Sequence, residues 1–299
     1  LYSQGYNLVL TGSNANLLSI ELATHLTGRH LPIEILPFDF QEFLKAKNFS
    51  NLDQKPELLK LLEQYMTFGG FPEVVTKNQH PRGYLDVLFD SLLFKDVVKR
   101  HKVRFSEQID QLGSYLINNV SNQYSFRKLA NILKFKSDVT LEKYLKYLEE
   151  AYIIFSLSGF SAKAGERLRS PKKIYTVDNG FVASKAVQHS SDNGKLMENL
   201  VFTEFVKRGF EPNRELFYYK TRKNVIGPFK KQSWNLPADV KFVIVSAWEE
   251  QFRKLFASLG VAGTRTYVDK YIKPVVLVPD LKDYLGEVAG AEDISDLAD

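Results

Sequence analysis

The sequence predicts a mixed α/β, multidomain protein, and three observations carry that reading. Residues 7–36 read as a short apolar strand, a helix-like stretch and a second apolar strand. Residues 46–118 keep helical spacing of their apolar side chains, as in Leu58, Leu61, Leu62 and Tyr65, or Leu85, Leu88, Phe89 and Leu92. Residues 119–177 place two short helices before a β-hairpin. The expected divisions are therefore 1–45, 46–118, 119–177 and 178–299, the last mixing helix and strand.

In the first region the strand Asn7-Leu-Val-Leu-Thr-Gly-Ser-Asn14 ends in a small polar cluster. A helix over Asn16 to Thr27 leads to Gly28-Arg29, and Leu31 to Leu36 form the next strand, closed by Pro37. A polar tip on a buried strand can hydrogen-bond an attacking water or a γ-phosphate oxygen, which makes Ser13 and Asn14 candidates. Arg29 is a third, because a planar guanidinium neutralises the charge that spreads in phosphoryl transfer. The same residues also suit an ordinary strand-to-helix turn with a Ser or Asn cap, and Arg29 a surface ion pair. No Gly-x-x-x-x-Gly-Lys-[Ser/Thr] loop occurs, and the Gly194-Lys195 pair is followed by Leu196. The expectation is the sensing side of a P-loop ATPase core without its phosphate loop.

The helical second region reads as a lid behind such a core. Phe68-Gly-Gly-Phe-Pro72 breaks it, since paired glycines and a following proline stop one helix and aim the next. In the third region Ser125 caps a short helix with Phe126, Leu129, Ala130 and Leu133 on its apolar face. Lys134 to Ser137 form a turn, and the second helix carries Leu141, Tyr144, Leu145 and Leu148 on one face. A strand begins at Ile153, a basic loop runs from Ser161 to Lys173, and a strand covers Ile174 to Val177, which describes a winged helix-turn-helix. Its second helix, Asp138 to Ala151, carries Asp138, Glu142, Glu149 and Glu150 against Lys143 and Lys146 and repels phosphates. The wing, with Lys163, Arg167, Arg169, Lys172 and Lys173, is the expected contact for duplex DNA, through its backbone and without base readout. A packing or protein-interaction role for the whole motif is the other reading.

In the last region an amphipathic helix over Leu196 to Arg208 offers Met197, Leu200, Val201 and Phe205 for burial. Strands are expected at Glu215 to Tyr219, Val240 to Val245 and Pro274 to Val278, with a helix at Glu249 to Leu259 between the last two. Glu198 lies in a mostly apolar stretch; as a magnesium ligand it has only Asp239 and Lys241 as companions, and as a helix-surface glutamate it needs none. Composition excludes more than it assigns. With no cysteine, disulfides, a thiolate nucleophile and cysteine-bound zinc are ruled out. The histidines lack ligand spacing, no Gly-x-Ser-x-Gly elbow occurs, and no bound metal is expected. The formal charge of +5 permits nucleic-acid contact. No signal peptide or long apolar run appears, so a cytoplasmic protein without a membrane anchor is expected.

Several segments in order resemble one family. They are Leu10-Thr-Gly-Ser-Asn14, Leu26-Thr-Gly-Arg29, Leu36-Pro-Phe-Asp-Phe-Gln-Glu-Phe-Leu44 and Phe68-Gly-Gly-Phe-Pro-Glu73. Phe94-Lys-Asp-Val-Val-Lys-Arg100, Thr140-Leu-Glu-Lys-Tyr-Leu-Lys-Tyr-Leu148, Lys173-Ile-Tyr-Thr-Val-Asp-Asn-Gly180 and Met197-Glu-Asn-Leu-Val-Phe202 follow. Together they are similar to the prokaryotic AAA-type ATPases that carry a C-terminal domain of unknown function with a restriction-endonuclease-like fold.

The resemblance implies Walker elements upstream of Leu1, with ATP and magnesium as cofactors of the intact protein and none held tightly by this chain. It assigns Ser13 and Asn14 to the sensor strand, Arg29 to the finger-like position, and Asp96 and Arg100 to the lid motif. It also implies a degenerate nuclease-like C-terminal domain. The family's Glu-Val-Asp-Phe motif is replaced by Asn224-Val-Ile-Gly-Pro-Phe and, later, Ala238-Asp-Val-Lys-Phe-Val-Ile244, where Lys241 stands in place of the acid. The expected function is thus an ATPase coupling nucleotide state to a winged helix and an inactive nuclease-like module. The alternative is a DNA- or protein-binding module without enzymatic activity, with self-association or a protein partner.

Overall fold

A computed structural model describes residues 33–50, 55–77, 80–161, 163–185 and 193–219, together with the strand Phe242–Val245. The protein is mixed α/β, mostly helical, with a small antiparallel sheet. Ser13, Asn14, Arg29, Asp239 and Lys241 lie outside the described residues, as do the helix expected at 249–259 and the strand at 274–278.

Residues 33–39 run as coil into α1 (Phe40–Ala46), so the strand expected over residues 31–36 is not formed in its described part, 33–36, where the backbone has no strand partner among the described residues. Its start is encoded by a capping box: Asp39 Oδ1 accepts from the Glu42 amide at 2.7 Å, and Glu42 Oε2 accepts from the Asp39 amide at 2.9 Å. Next come α2 (Lys55–Phe68) and α3 (Pro72–Thr76), separated by the Gly69-Gly70 break. Leu61, Tyr65 and Val75 meet Phe43 and Leu44 there in a small apolar cluster. The helix α4 (Pro81–Leu92) runs on without interruption into a π-helical segment, Leu93–Lys99, which turns Leu93, Asp96 and Val97 inward.

The remaining order is α5 (Ser106–Asn118), β1 (Gln123–Tyr124), α6 (Phe126–Ile132), α7 (Asp138–Glu150), β2 (Ile154–Ser158), α8 (Ala164–Arg169) and β3 (Lys172–Thr176). The sheet has the order β1-β3-β2 and is antiparallel, with Gln123 opposite Lys173 and Phe155 opposite Tyr175. Ser125 caps α6 as its sequence position suggests, accepting from the Lys128 amide at 3.4 Å. Lys134, at φ 53°, turns the chain between α6 and α7. Leu141, Tyr144, Leu145 and Leu148 are all buried.

One apolar core runs across residue 118 without a break. Ile109, Leu112 and Leu116 of α5 share one buried cluster with Phe89 and Val97 from before them and with Leu129, Leu141, Ile153 and Ile174 from after them. A seven-residue helix such as α6 has too little apolar surface to stand alone, so it shares this core.

Two expectations for the wing need correction. Residues 161–173 are not simply a loop, because Ala164–Arg169 forms α8. The last strand also begins at Lys172 rather than Ile174, since its ladder to β2 extends to Ser158. Then α9 (Asn179–Lys185) and α10 (Asn193–Lys207) follow, and β4 (Leu216–Tyr219) pairs in parallel with β5 (Phe242–Val245). The buried apolar side chains of α10 are Leu196, Met197 and Phe202, whereas Leu200, Val201 and Phe205 are only half-buried. The expected single stripe is displaced because α10 is covered by β3 on one side and by α2 on another. Among the described residues, no helix is long and apolar enough to cross a membrane.

Candidate functional site

Among the described residues, a cluster of buried polar groups lies where α2, β3 and α10 meet. Asp178 and Asn179, just after β3, are 3% and 4% exposed. The Asp178 carboxylate accepts from the Gly70 amide at 2.8 Å through Oδ2 and from the Gly180 amide at 2.8 Å through Oδ1. Burial pushes its pKa up, opposed by the Lys207 charge and by those two amides. Gly69 has φ +73°, and a Cβ there would stand 1.4 Å from Asp178 Oδ1. The Gly-Gly pair is therefore required both for the turn and for the approach of the carboxylate.

Asn179 Nδ2 donates to the carbonyls of Met66 at 2.8 Å and Leu196 at 2.9 Å, tying the end of α2 to α10. Asn199 completes the junction. Its Nδ2 donates to Asn179 Oδ1 and to the Thr176 carbonyl, while its Oδ1 accepts from the Thr176 amide at 2.8 Å. Every polar atom of the Asn199 side chain is thus engaged, as burial demands.

At the preceding residue of α10, Lys173 Nζ and Tyr175 OH both donate to Glu198 Oε1 at 2.6 Å. Burial, followed by the Glu198 charge, raises the Tyr175 pKa well above its ordinary value, so the phenol keeps its proton. Tyr175 also stacks on Phe202, with ring centroids 4.1 Å apart.

A third cluster fastens the segment that precedes α1. The Phe38 amide donates to the Gly70 carbonyl at 2.9 Å. The Phe38 carbonyl accepts from Tyr65 OH at 2.8 Å and from Lys207 Nζ at 2.9 Å. Glu204 Oε1 accepts from Tyr65 OH at 2.8 Å and from the Phe40 amide at 3.2 Å. Burial raises the pKa of both Tyr65 and Glu204, with Glu204 the next contributor at Tyr65 and Lys207 opposing the shift at Glu204. Further back, Tyr152 OH donates to Glu34 Oε1 at 2.7 Å. Residues 34–40 form a strap held by α2, α10 and the turn after α7.

The described candidates from the sequence fall into three groups. Asp96 and Arg100 form an ion pair at 3.4 Å along the π-helical segment, with Asp96 8% exposed. The wing cations are largely engaged close to home. Lys163 pairs with Glu166 at 3.4 Å, Arg169 Nε donates to the Gly165 carbonyl at 3.0 Å, and Arg167 lies over the Phe217 ring at 5.8 Å. Lys172 stands over the Phe126 ring at 5.7 Å.

Lys173 is the clear correction. It is 2% exposed and ion-paired with Glu198, so it is not available to nucleic acid. Its position on β3 turns it towards α10 rather than outward. Glu198 is likewise corrected from a surface or metal-facing glutamate to the buried partner of a lysine. Among the described residues, no group of three His, Asp or Glu side chains could hold a metal ion. The charge of α7 also differs from its sequence total. Glu149 and Glu150 are turned inward, Glu149 towards Ser156 and Glu150 beside His101 at 3.3 Å, which leaves Asp138 and Glu142 exposed.

Sequence reading missed the junction of Asp178, Asn179 and Asn199 as a site. Asp-Asn-Gly directly after a strand, and an Asn inside an apolar helix, were the available signals.

Comparison with known proteins adds an independent line. Residues 1–44 match an AAA domain, and residues 59–192 match a domain of unknown function, DUF8612. The chain therefore carries an AAA-like segment that ends within the strap and α1. An uncharacterized protein of Methanocaldococcus jannaschii is 41% identical over 235 residues, 75% of this chain and 52% of that protein. An uncharacterized protein of Haemophilus influenzae is 34% identical over 210 residues, 68% of this chain and 52% of that protein. The chain spans about half the length of these curated relatives. No solved structure matches it.

Proposed function

We propose that the chain is the distal half of an AAA-type ATPase, which transmits nucleotide state through the strap into a helical and winged-helix body. The observation that carries this is the placement of the AAA-like match. Its last residues run through Phe38, whose amide and carbonyl are both hydrogen-bonded to the body. In this reading a displacement of the AAA-like segment pulls, through the strap, on Gly70, Tyr65 and Lys207 together. From those residues Asp178, Asn179 and Asn199 connect to β3 and α10. The order α5, β1, α6, α7, β2, α8, β3, with β1 beside β3, supports a winged helix-turn-helix whose wing carries a short helix as the receiving module.

ATP and magnesium, when bound, supply the phosphoryl group and neutralise its developing charge. In this reading Ser13 and Asn14 would orient the attacking water and Arg29 would stabilise the transferring phosphoryl, with the phosphate loop supplied by residues outside this sequence. The parallel pair of β4 and β5 near α10 supports an α/β C-terminal module. With Glu198 committed to Lys173 and Tyr175, that module is proposed to be inactive as a magnesium nuclease.

Phosphate release tests the reading, comparing this 299-residue chain with the product of the reading frame extended upstream of Leu1. Turnover is expected only from the longer protein, and Arg29→Ala should lower it by at least about 10³-fold. Robust turnover by the shorter chain, or an Arg29→Ala variant as fast as the parent, overturns the proposal.

A further inference from the structure

Besides the wing, whose Lys163 and Arg169 stay exposed while making local contacts, a second exposed basic stretch lies in the helix pair. Between Gln123 and Ser137 there are four cations, Arg127, Lys128, Lys134 and Lys136, and no acidic residue. All four are exposed, and none forms an ion pair with a described residue. On α6, residues 127, 128, 131 and 132 are exposed while Leu129 and Ala130 are buried, so both cations of the helix share its solvent face. Lys134, whose positive φ ends α6, and Lys136 follow as exposed cations in the turn before α7. The adjoining half of α7 is net acidic, with exposed Asp138 and Glu142 against Lys143, so the basic stretch ends at the turn.

We propose that the exposed face of α6 and the turn after it bind the phosphate backbone of duplex nucleic acid. The inference rests on the helix-turn-helix reading above, because in that motif the first helix crosses the sugar-phosphate backbone. It moves the contact away from the wing. Phosphate binding of this kind is sequence-independent and is driven by counterion release.

Other polyanionic partners suit the surface less well. A membrane-surface helix keeps its apolar face free to insert, whereas that of α6 is buried against Leu141 and Leu145 in the core. A protein interface is built around exposed aromatic anchors. Here the adjoining cleft of about 230 Å³ mixes Asn119, Asn122 and Gln123 with Tyr115, Tyr124 and Ile132, and Ile132 is the large hydrophobic exposed within residues 123–137, with no exposed aromatic beside it.

The test is fluorescence anisotropy of a short labelled DNA duplex titrated with the full chain at stepped sodium chloride. Four phosphate contacts at a slope of about 0.9 each give a log-log salt slope near −3.6, or roughly 150-fold weaker binding between about 50 and 200 mM salt. The quadruple variant Arg127→Ala, Lys128→Ala, Lys134→Ala, Lys136→Ala should abolish most of that slope with an unchanged circular dichroism spectrum. Exchanging Arg for Lys and Lys for Arg at the same four positions should retain binding. The wing variant Arg167→Ala, Arg169→Ala should leave the slope nearly as it was.

A slope unchanged in the quadruple variant, or lost in the wing variant, overturns the assignment. So does an absence of duplex binding at low salt, including the case in which vesicles of phosphatidylserine and phosphatidylcholine are bound instead. No nucleotide enters the measurement, so its failure leaves the ATPase reading standing, and a failed phosphate-release assay leaves this one standing.

Discussion

Replacing Glu198 by leucine probes whether the Lys173–Tyr175–Glu198 cluster is structural. Both donors converge on one oxygen at 2.6 Å, and Lys173 and Glu198 are 2% and 8% exposed. Removing one partner of a buried pair destabilises by about 3–5 kcal/mol, because the other charge is left uncompensated. The orphaned Tyr175 hydroxyl adds about 1–3 kcal/mol. Against a total stability of roughly 5–15 kcal/mol, Glu198→Leu brings the protein close to unfolding.

The reasoning then predicts an ordered rescue. Adding Lys173→Met removes the buried charge and recovers about 3–5 kcal/mol, since apolar replacements of an ion pair are often neutral or better. Adding Tyr175→Phe removes the remaining unpaired donor and recovers about 1–3 kcal/mol more. Urea denaturation read by circular dichroism measures each midpoint. A Glu198→Leu variant within about 1 kcal/mol of the parent, or a triple variant no more stable than the single, refutes the account.

Three further outcomes are expected. Gly69→Ala places a Cβ 1.4 Å from Asp178 Oδ1 at a φ of +73°. The left-handed backbone costs about 1–2 kcal/mol and the displaced carboxylate loses bonds of about 1.5–3 kcal/mol each, so a urea midpoint shift of under about 1 kcal/mol counts against the clash. Tyr65→Phe removes one tie on the strap, worth about 1 kcal/mol, and should speed hydrogen exchange at the Phe38 amide; an unchanged rate contradicts the strap. Burial lowers the His101 pKa from 6.5, with Glu150 opposing and Arg100 and Lys146 assisting. The contribution of neutral His101 to stability is thus present above pH 6.5 and lost as the pH falls through the lowered value. His101→Phe, which keeps a ring against Tyr147, should flatten the melting temperature between pH 8 and pH 5, and a profile as steep as the parent's removes His101 from the explanation.

What was legible in the sequence was local. Ser125 as a cap, the Leu141, Tyr144, Leu145 and Leu148 stripe and the Gly69-Gly70 break follow from spacing and backbone preference within a few residues. The capping box at Asp39 and Glu42 belongs to the same class, although only the helix start was anticipated. The charged residues were harder to place. Lys173 belongs by composition to a basic wing, and only its pairing with Glu198, 25 residues on, shows that it points inward. Glu149 and Glu150 likewise count as acidic surface until α7 is docked, after which they face Ser156 and His101. The π-helical turn at Leu93–Lys99 has no proline or glycine to announce it.

The sequence alone determined the mixed α/β class, the helix pair and following strands of residues 125–177 without the intervening α8, the absence of cysteine and the AAA-like motifs of the first 44 residues. Short-range periodicity and the chemical identity of side chains suffice for those. Tertiary structure decided which charges are surface and which are structural, and it drew Asp178, Asn179 and Asn199 into one junction with Gly70 and Met66. It also decided that the strap is gripped at Phe38 by residues as far along as Lys207. A buried polar group must find its partner in space, at whatever distance along the chain, and periodicity carries no information about that distance.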